Sequence, residues 1–184
     1  MKNMCVAARL AAVAAVASLL LSTPPGLRAV AVAPARAGGE TTIKRVTAAV
    51  NDIVYDPVGG KLYLSLPSGA DGSGNCVIPY DPLTGVYGAP IHVGSEPGPL
   101  AVSDNGQYLY VGLQGAAAVR RLNLLTQTPD LFFWLGNVLS PNDATPTVDG
   151  PFLPAHLAAI PGRPERVAVS RKPGVAIYEN GVSL

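Results

Sequence analysis

The sequence predicts an all-β chain made of short strands joined by turns. The chain contains 20 glycines and 18 prolines, which interrupt long helices and favour turns. No segment after residue 40 keeps the 3.6-residue spacing of an amphipathic helix. Two stretches, residues 53–66 and 101–113, also align with each other. An internal repeat of this length is typical of an architecture built from equivalent structural units.

The repeat extends beyond the first aligned pair. The two stretches are offset by 48 residues up to Asp56 and Asp104 and by 47 residues at Tyr63 and Tyr110, so the second turn reads as one residue shorter. Residues 80–85 then match 122–127 at an offset of 42. A third copy is predicted where residues 167–170 resemble 100–103, at an offset of 67.

Each unit resolves into four short strands. Residues 108–113 alternate, with Leu109, Val111 and Leu113 predicted on one face. A period of 42 to 48 residues with four strands is typical of a propeller blade. A β-sandwich is the alternative, and the matching turns and gaps favour the propeller. We therefore predict an incomplete β-propeller of about two to three four-stranded antiparallel blades, preceded by a signal-peptide helix.

The predicted organisation follows the chain in six parts. These are a signal peptide (1–37), a linker or lead-in strand (38–49), blade 1 (50–96), blade 2 (97–136), an inserted loop (137–162) and the start of blade 3 (163–184). Closed propellers need about 4–8 blades. The blade count therefore favours a piece of a longer gene product, and the alternative is a ring completed by several chains through the open propeller edge.

The turn sequences carry a resemblance to a known family. Asp56-Pro57-x-x-Gly60-Lys61-Leu62-Tyr63, the segment 102–111 (VSDNGQYLYV) and the turn 81–85 (DPLTG) resemble the surface-layer YVTN β-propeller repeats of exported bacterial proteins. The resemblance covers about residues 50–136 and 164–178, and it implies a propeller fold and an exported protein. The third copy departs from the pattern, because residues 171–174 (RKPG) replace the Asp-Asn-Gly turn.

The N-terminus is typical of a secretory signal peptide. Lys2 and Arg9 precede the apolar run 10–21, which is shorter than the ~20 residues that span a bilayer. Small residues mark two cleavage sites, after Ala31 and after Ala37. We expect a secreted, periplasmic or cell-surface protein with no membrane span once the signal is removed, and an uncleaved anchor is the alternative.

The charge of the mature part disfavours nucleic acid as a partner. Removal of residues 1–37 takes four of the 13 basic residues and none of the 12 acidic ones, which leaves a net charge of −3. The remaining basic residues form no run longer than two. A phosphate backbone needs a basic face. The partners we expect are therefore a protein or a glycan at the cell surface.

The sequence contains no catalytic, cofactor-binding or metal-binding constellation that we can assign. Residues 71–75 resemble the start of a calcium loop, but Cys76 and Pro82 stand where later ligand-loop positions need Gly and Glu, so a hairpin loop is favoured. Cys76 is predicted to be a buried apolar residue, since no histidine lies near it in sequence. Residues 132–134 (FFW) are predicted to pack in the core, with a carbohydrate-stacking platform as the alternative.

The predicted loop 137–162 holds the best binding candidates. Long loops on a rigid scaffold often carry function, and this one contains His156, Asp149 and Phe152. A passive surface excursion is the alternative. The sequence therefore predicts a non-catalytic exported propeller protein for surface display or for binding protein or glycan. The other hypothesis is part of a propeller enzyme, such as a lactonase-like hydrolase, with its site residues in other blades.

Overall fold

The computed structural model of the protein describes Arg45 and residues 47–139, 148–171 and 173–184. The described residues all belong to one compact unit, Ile43–Leu184. The predicted signal-peptide helix lies outside the described residues. Within them, every regular element is a strand, and no helix is long and apolar enough to span a membrane. The all-β prediction is confirmed.

The described residues form fourteen strands, which make three four-stranded antiparallel sheets and one separate hairpin. The first sheet contains β1 (Asp52–Asp56), β2 (Lys61–Leu66), β3 (Cys76–Tyr80) and β4 (Ile91–His92). The second sheet contains β5 (Pro97–Val102), β6 (Tyr108–Leu113), β7 (Ala118–Asn123) and β8 (Thr128–Trp134). The hairpin pairs β9 (Asn137–Leu139) with β10 (Val148–Pro151). The third sheet contains β11 (His156–Ile160), β12 (Arg163–Arg171), β13 (Gly174–Glu179) and β14 (Val182–Ser183).

The three sheets stack face to face, with their first strands side by side. Strand β1 contacts β5, and β5 contacts β11. One apolar core lies between the first and second sheets: Tyr63, Val77, Ile91, Val93, Leu100, Leu109, Val111, Leu113, Leu122 and Leu124. Another lies between the second and third: Ala101, Tyr110, Val119, Phe133, Leu135, Val167, Val169 and Tyr178. This is the arrangement of neighbouring propeller blades around an axis, as predicted.

Each sheet has a forward face, toward the next sheet in the chain, and a rear face, toward the previous one. In β6 the alternation of the strand sends Leu109, Val111 and Leu113 to the rear face, into the first core. Tyr110 points to the forward face and enters the second core. The predicted stripe on β6 is therefore confirmed, and it explains why both faces of the second sheet are apolar.

The first hairpin of the second sheet is offset from that of the first sheet by a constant 47 residues, not by 48 and then 47. Strand pairing matches Val54 with Tyr63 in one sheet and Ala101 with Tyr110 in the other. Asp56 is therefore the equivalent of Ser103 and not of Asp104. Both residues are buried where the hairpin turns, and both accept turn hydrogen bonds, Asp56 from Val58 N (3.0 Å) and Ser103 from Tyr108 N (2.9 Å). Their shared position was hidden because the two side chains differ.

The third copy begins earlier than the sequence analysis placed it. Leu157 pairs with Val169, as Leu100 pairs with Val111, so Val169 belongs to a second strand and not to a first one. The hairpin between these strands turns through Pro161 and Gly162 (φ 71°), with Ile160 paired to Arg163. This shorter turn replaces the four-residue turn of the other sheets, which is why the Asp-Asn-Gly pattern gives no match here.

The sheet boundaries also differ from the predicted segments. The range 137–162, predicted as an inserted loop, contains the hairpin β9–β10 and strand β11. Residues 140–147 of that range lie outside the described residues. The third sheet has four strands, beginning at His156, in place of opening strands that begin at residue 163.

Polar side chains join the first two sheets near the start of their first strands. The Asp52 carboxylate accepts hydrogen bonds from Leu100 N (2.8 Å) and from Ile53 N (2.8 Å). Ser65 Oγ donates to Gly98 O (2.8 Å), and Ser65 is fully buried. These bonds satisfy backbone groups that the separate sheets cannot pair with each other.

The Arg121 side chain joins the second and third sheets by hydrogen bonds. Its guanidinium contacts both oxygens of Asp130 at 3.0 Å and donates to Asn180 Oδ1 at 2.9 Å, across the junction. It also lies 4.0 Å from the centre of the Tyr108 ring. Because this guanidinium is buried and bonded on both sides, it fixes how the two sheets meet.

Replacing Asp52 with Asn should destabilise the protein by about 1–3 kcal/mol, since an amide directs an N–H group toward one of the two backbone N–H groups that the carboxylate accepts. The measurement is the free energy of unfolding in urea. Asp71→Asn, on an exposed loop, is the matched control and should change it little. An equal effect of both substitutions would contradict the role given to Asp52.

Candidate functional site

A cleft of about 410 Å³ opens where the first strands of the three sheets begin. We call it the axial cleft. Its volume lies within the roughly 300–1,000 Å³ of ligand pockets. Residues from all three sheets line it: Asn51, Asp52, Glu96, Gly98, Pro99, Gln114, Ala155 and His156. Because each first strand starts at this end of the stack, side chains distant in sequence converge here.

Two of the polar side chains in the cleft are already used by the fold. Asn51 Nδ2 donates to Pro97 O at 2.8 Å, and both oxygens of Asp52 accept backbone N–H groups. A carboxylate with both oxygens bonded to the backbone is a rigid hydrogen-bond acceptor. These two residues therefore shape the wall of the cleft.

Glu96 ties the cleft to the loop between β2 and β3. Its carboxylate accepts hydrogen bonds from the Ser68 hydroxyl and backbone N–H, and its own N–H donates to Asn75 Oδ1 (2.9 Å). Glu96 and Asn75 both have left-handed backbones, with φ of 48° and 60°. Such conformations cost about 1–3 kcal/mol and persist where the surroundings enforce them. The loop is thus fixed against the start of β5.

Gln114 and His156 face the solvent in the axial cleft. Both residues are exposed, and the structure gives neither side chain a hydrogen bond to another described residue. Gln114 follows the end of β6, and its backbone N–H donates to Glu96 O (3.0 Å), which fixes where its side chain starts. An amide and an imidazole at this place can donate to and accept from a polar ligand.

The three predicted binding residues have three different surroundings. His156 lines the axial cleft, and Asp149 is exposed on β10. Phe152 is half-buried against the second core, with the Arg171 guanidinium 4.1 Å from its ring centre. No described cavity is lined by all three. The sequence analysis missed Asn51, Asp52, Glu96 and Gln114, which follow no motif and meet only through the stacking of the sheets.

Cys76 does lie beside a histidine, although none is near it in sequence. Cys76 is paired with His92 across β3 and β4, with Sγ 3.9 Å from Nδ1. Burial raises the pKa of the Cys76 thiol, and Sγ donates to Gly74 O at 3.4 Å. A protonated, buried thiol is a poor nucleophile, so the predicted role as a buried apolar residue agrees with this geometry.

The aromatic run on β8 is divided between core and surface. Phe133 is buried, and its ring centre lies 4.8 Å from that of Tyr178. Phe132 and Trp134 are 47% and 53% exposed, because neighbours on a strand point to opposite faces. The core prediction therefore holds for Phe133 and is wrong for the two flanking residues.

The glycine-rich loop 71–75 shows no arrangement of calcium ligands. Asn75 Oδ1 is used by the bond from Glu96 N. Across the described residues, no group of three His, Cys, Asp or Glu side chains lies close enough together to hold a metal ion.

Comparison with known proteins supports the fold. No family model matches the chain, and no curated protein matches it in sequence. Solved structures do match. Hydrazine synthase of Kuenenia stuttgartiensis aligns with a TM-score of 0.56 and 15% identity, over 79% of this chain and 37% of that one. The described residues have the fold of an open, partial β-propeller.

Two further propellers agree. The RRP9 WD40 repeats align with a TM-score of 0.56 and 12% identity, over 77% of this chain and 39% of that one. The β-propeller domain of Cps50 (Swd1) from Myceliophteria thermophila aligns with a TM-score of 0.55 and 14% identity, over 78% of this chain and 40% of that one. The chain thus spans less than half the length of these propellers. At such identities the likeness shows the fold alone.

Cys76 should react slowly with iodoacetamide in the folded protein and rapidly after unfolding in urea at the same pH. Its thiol pKa is raised by burial, so the folded state holds the proton that the unfolded state releases first. The stability from this proton is present below the unfolded thiol's pKa and is lost as the pH rises through the folded one. Peptide mass spectrometry locates the modified cysteine.

The variant Cys76→Ala separates the pH-dependent loss of stability caused by the thiol from the loss caused by buried tyrosines. Burial also raises the pKa of Tyr63 and Tyr110, so they contribute a loss of stability in the same direction at higher pH. The variant should lose less stability than the parent as the pH rises through the thiol range. Rapid alkylation of Cys76 in the folded protein would contradict the conclusion that its thiol is buried and has a raised pKa.

Proposed function

We propose that this chain is a non-catalytic binding module of an exported propeller protein, and that it recognises a glycan in the axial cleft. The observation that carries the proposal is the set of polar side chains that converge there from all three sheets. Sugars present many hydroxyl groups, and amide, imidazole and fixed carboxylate groups are suitable partners for them.

The surrounding structure supports binding over catalysis. Asn51, Asp52 and Glu96 are held in place by hydrogen bonds to backbone groups or to a neighbouring loop. A rigid wall reduces the entropy that binding must overcome. Gln114 and His156 then supply the groups that meet the ligand.

Export is the second part of the proposal. Its support is the basic start, the short apolar run 10–21 and the small residues before Val32 and Gly38. The resemblance of the turns at Asp56 and Asp104 to surface-layer repeats agrees with a place at the cell surface.

Glycan binding is tested by applying the full chain to a glycan array and measuring the strongest ligand by calorimetry. Replacing both Gln114 and His156 with Ala should weaken binding by about tenfold or more, since each lost hydrogen bond contributes about 1 kcal/mol. Gln107→Ala is the matched control, because this exposed glutamine lies in the turn at the opposite end of β5. Unchanged affinity in the double variant would reject the cleft, and binding to proteins but to no glycan would reject the ligand class.

Export is tested by expressing the intact gene in a bacterial host. The mature protein should appear outside the cytoplasm with Gly38 or Val32 as its first residue, and Val16→Arg should block processing because it places a charge in the apolar run. Thr42→Arg, beyond both cleavage sites, should leave processing unchanged. Membrane-bound protein that retains residues 1–37 would show an uncleaved anchor instead. Edman sequencing of each fraction gives the answer.

A further inference from the structure

Two apolar sheet faces remain outside the two cores. On the forward face of the third sheet, Val175 and Ile177 are 69% and 41% exposed. On the rear face of the first sheet, Ile53 and Tyr55 are 53% and 52% exposed. Next to them on that face lies a small core cluster centred on Leu64, Leu66 and Tyr80. Exposed apolar patches of this kind mark interaction surfaces.

The strand register shows which residues occupy equivalent places on the forward faces. Tyr63 and Tyr110 are each paired with the forward-facing residue of a first strand, and the equivalent residue of the third sheet is Ala168, paired with Ala158. Each tyrosine is buried in the core that its sheet forms with the next one. The third sheet therefore has a small residue where the other two have a large one.

On the rear faces the difference in size is reversed, because the first sheet has a large residue where the other two have smaller ones. The rear-facing residue of the first strand is Val102 in the second sheet and Ala159 in the third, each packed against a core that contains one of the tyrosines. The equivalent residue of the first sheet is Tyr55, placed by its pairing with Leu62. The open rear face thus supplies the aromatic ring that the open forward face lacks.

We propose that a second copy of this chain covers both open faces, with Tyr55 of each copy packed over Ala168 of the other. The faces match each other and not themselves, so the contact is head-to-tail, and two such contacts related by a two-fold axis close a ring. Three sheets from each copy make six blades, within the about 4–8 of closed propellers. The ring also encloses the axial cleft, which a single copy leaves open.

The first measurement is the mass of the full chain in solution by light scattering after size exclusion, over a range of concentrations. The expected mass is that of two chains. A single-chain mass throughout would overturn the proposal, whether residues 1–42 or further blades cover the faces. A series of larger masses would overturn the closed ring, because head-to-tail contacts that do not close give filaments.

An exchange of residues then tests the predicted contact. Ala168→Tyr places two aromatic rings in one space, and Tyr55→Val removes the ring that fills it. Each should raise the dissociation constant of the dimer by about tenfold or more. The double variant recreates the combination of Tyr63 with Val102 that the first core already contains, so it should restore the dimer.

Leu125→Ala, on a turn where the side chain is 89% exposed, is the control and should leave the dimer unchanged. Circular dichroism and thermal melting show that each variant is folded. A folded double variant that stays monomeric would overturn the contact between Tyr55 and Ala168. The outcome does not depend on the ligand, so it is distinct from the result of the glycan experiment.

Discussion

The structure depends on the burial of apolar faces between neighbouring sheets. In the second sheet both faces are covered, and Leu109 and Tyr110, neighbours that point in opposite directions, are almost fully buried. Burying a large apolar side chain contributes about 1.5–3 kcal/mol, so cores on both sides outweigh any single polar contact. The sheets therefore stack, and the stacking fixes where their first strands lie.

The axial cleft is a consequence of this stacking. The backbone groups at the start of the first strands cannot pair across the angle between sheets, so Asn51, Asp52 and Ser65 supply the missing partners. Their polar atoms belong to the scaffold. Gln114 and His156 stand at the same opening with side chains directed to solvent. The same packing thus separates structural polar groups from those free to meet a ligand.

Proximity alone does not make a reactive pair. Cys76 and His92 are direct neighbours in the ladder, yet the thiol is buried and its pKa is raised. A nucleophilic cysteine needs a positive or solvated environment that lowers its pKa. The open faces show the opposite case. Tyr55 and Ala168 lie at opposite ends of the stack, yet the large side chain on one face is complementary to the small one on the other.

The sequence by itself determined the strand content, the blade length and the alternation on β6, because these follow from turn residues and from the two-residue period of a strand. The sequence analysis misplaced the third blade. Its first hairpin turns at Pro161-Gly162, which does not resemble the Asp-Asn-Gly turn of the second sheet. His156 was found because it stood in a predicted loop. Only the tertiary structure placed it with Asp52 and Gln114, because residues joined across three sheets share no spacing along the chain.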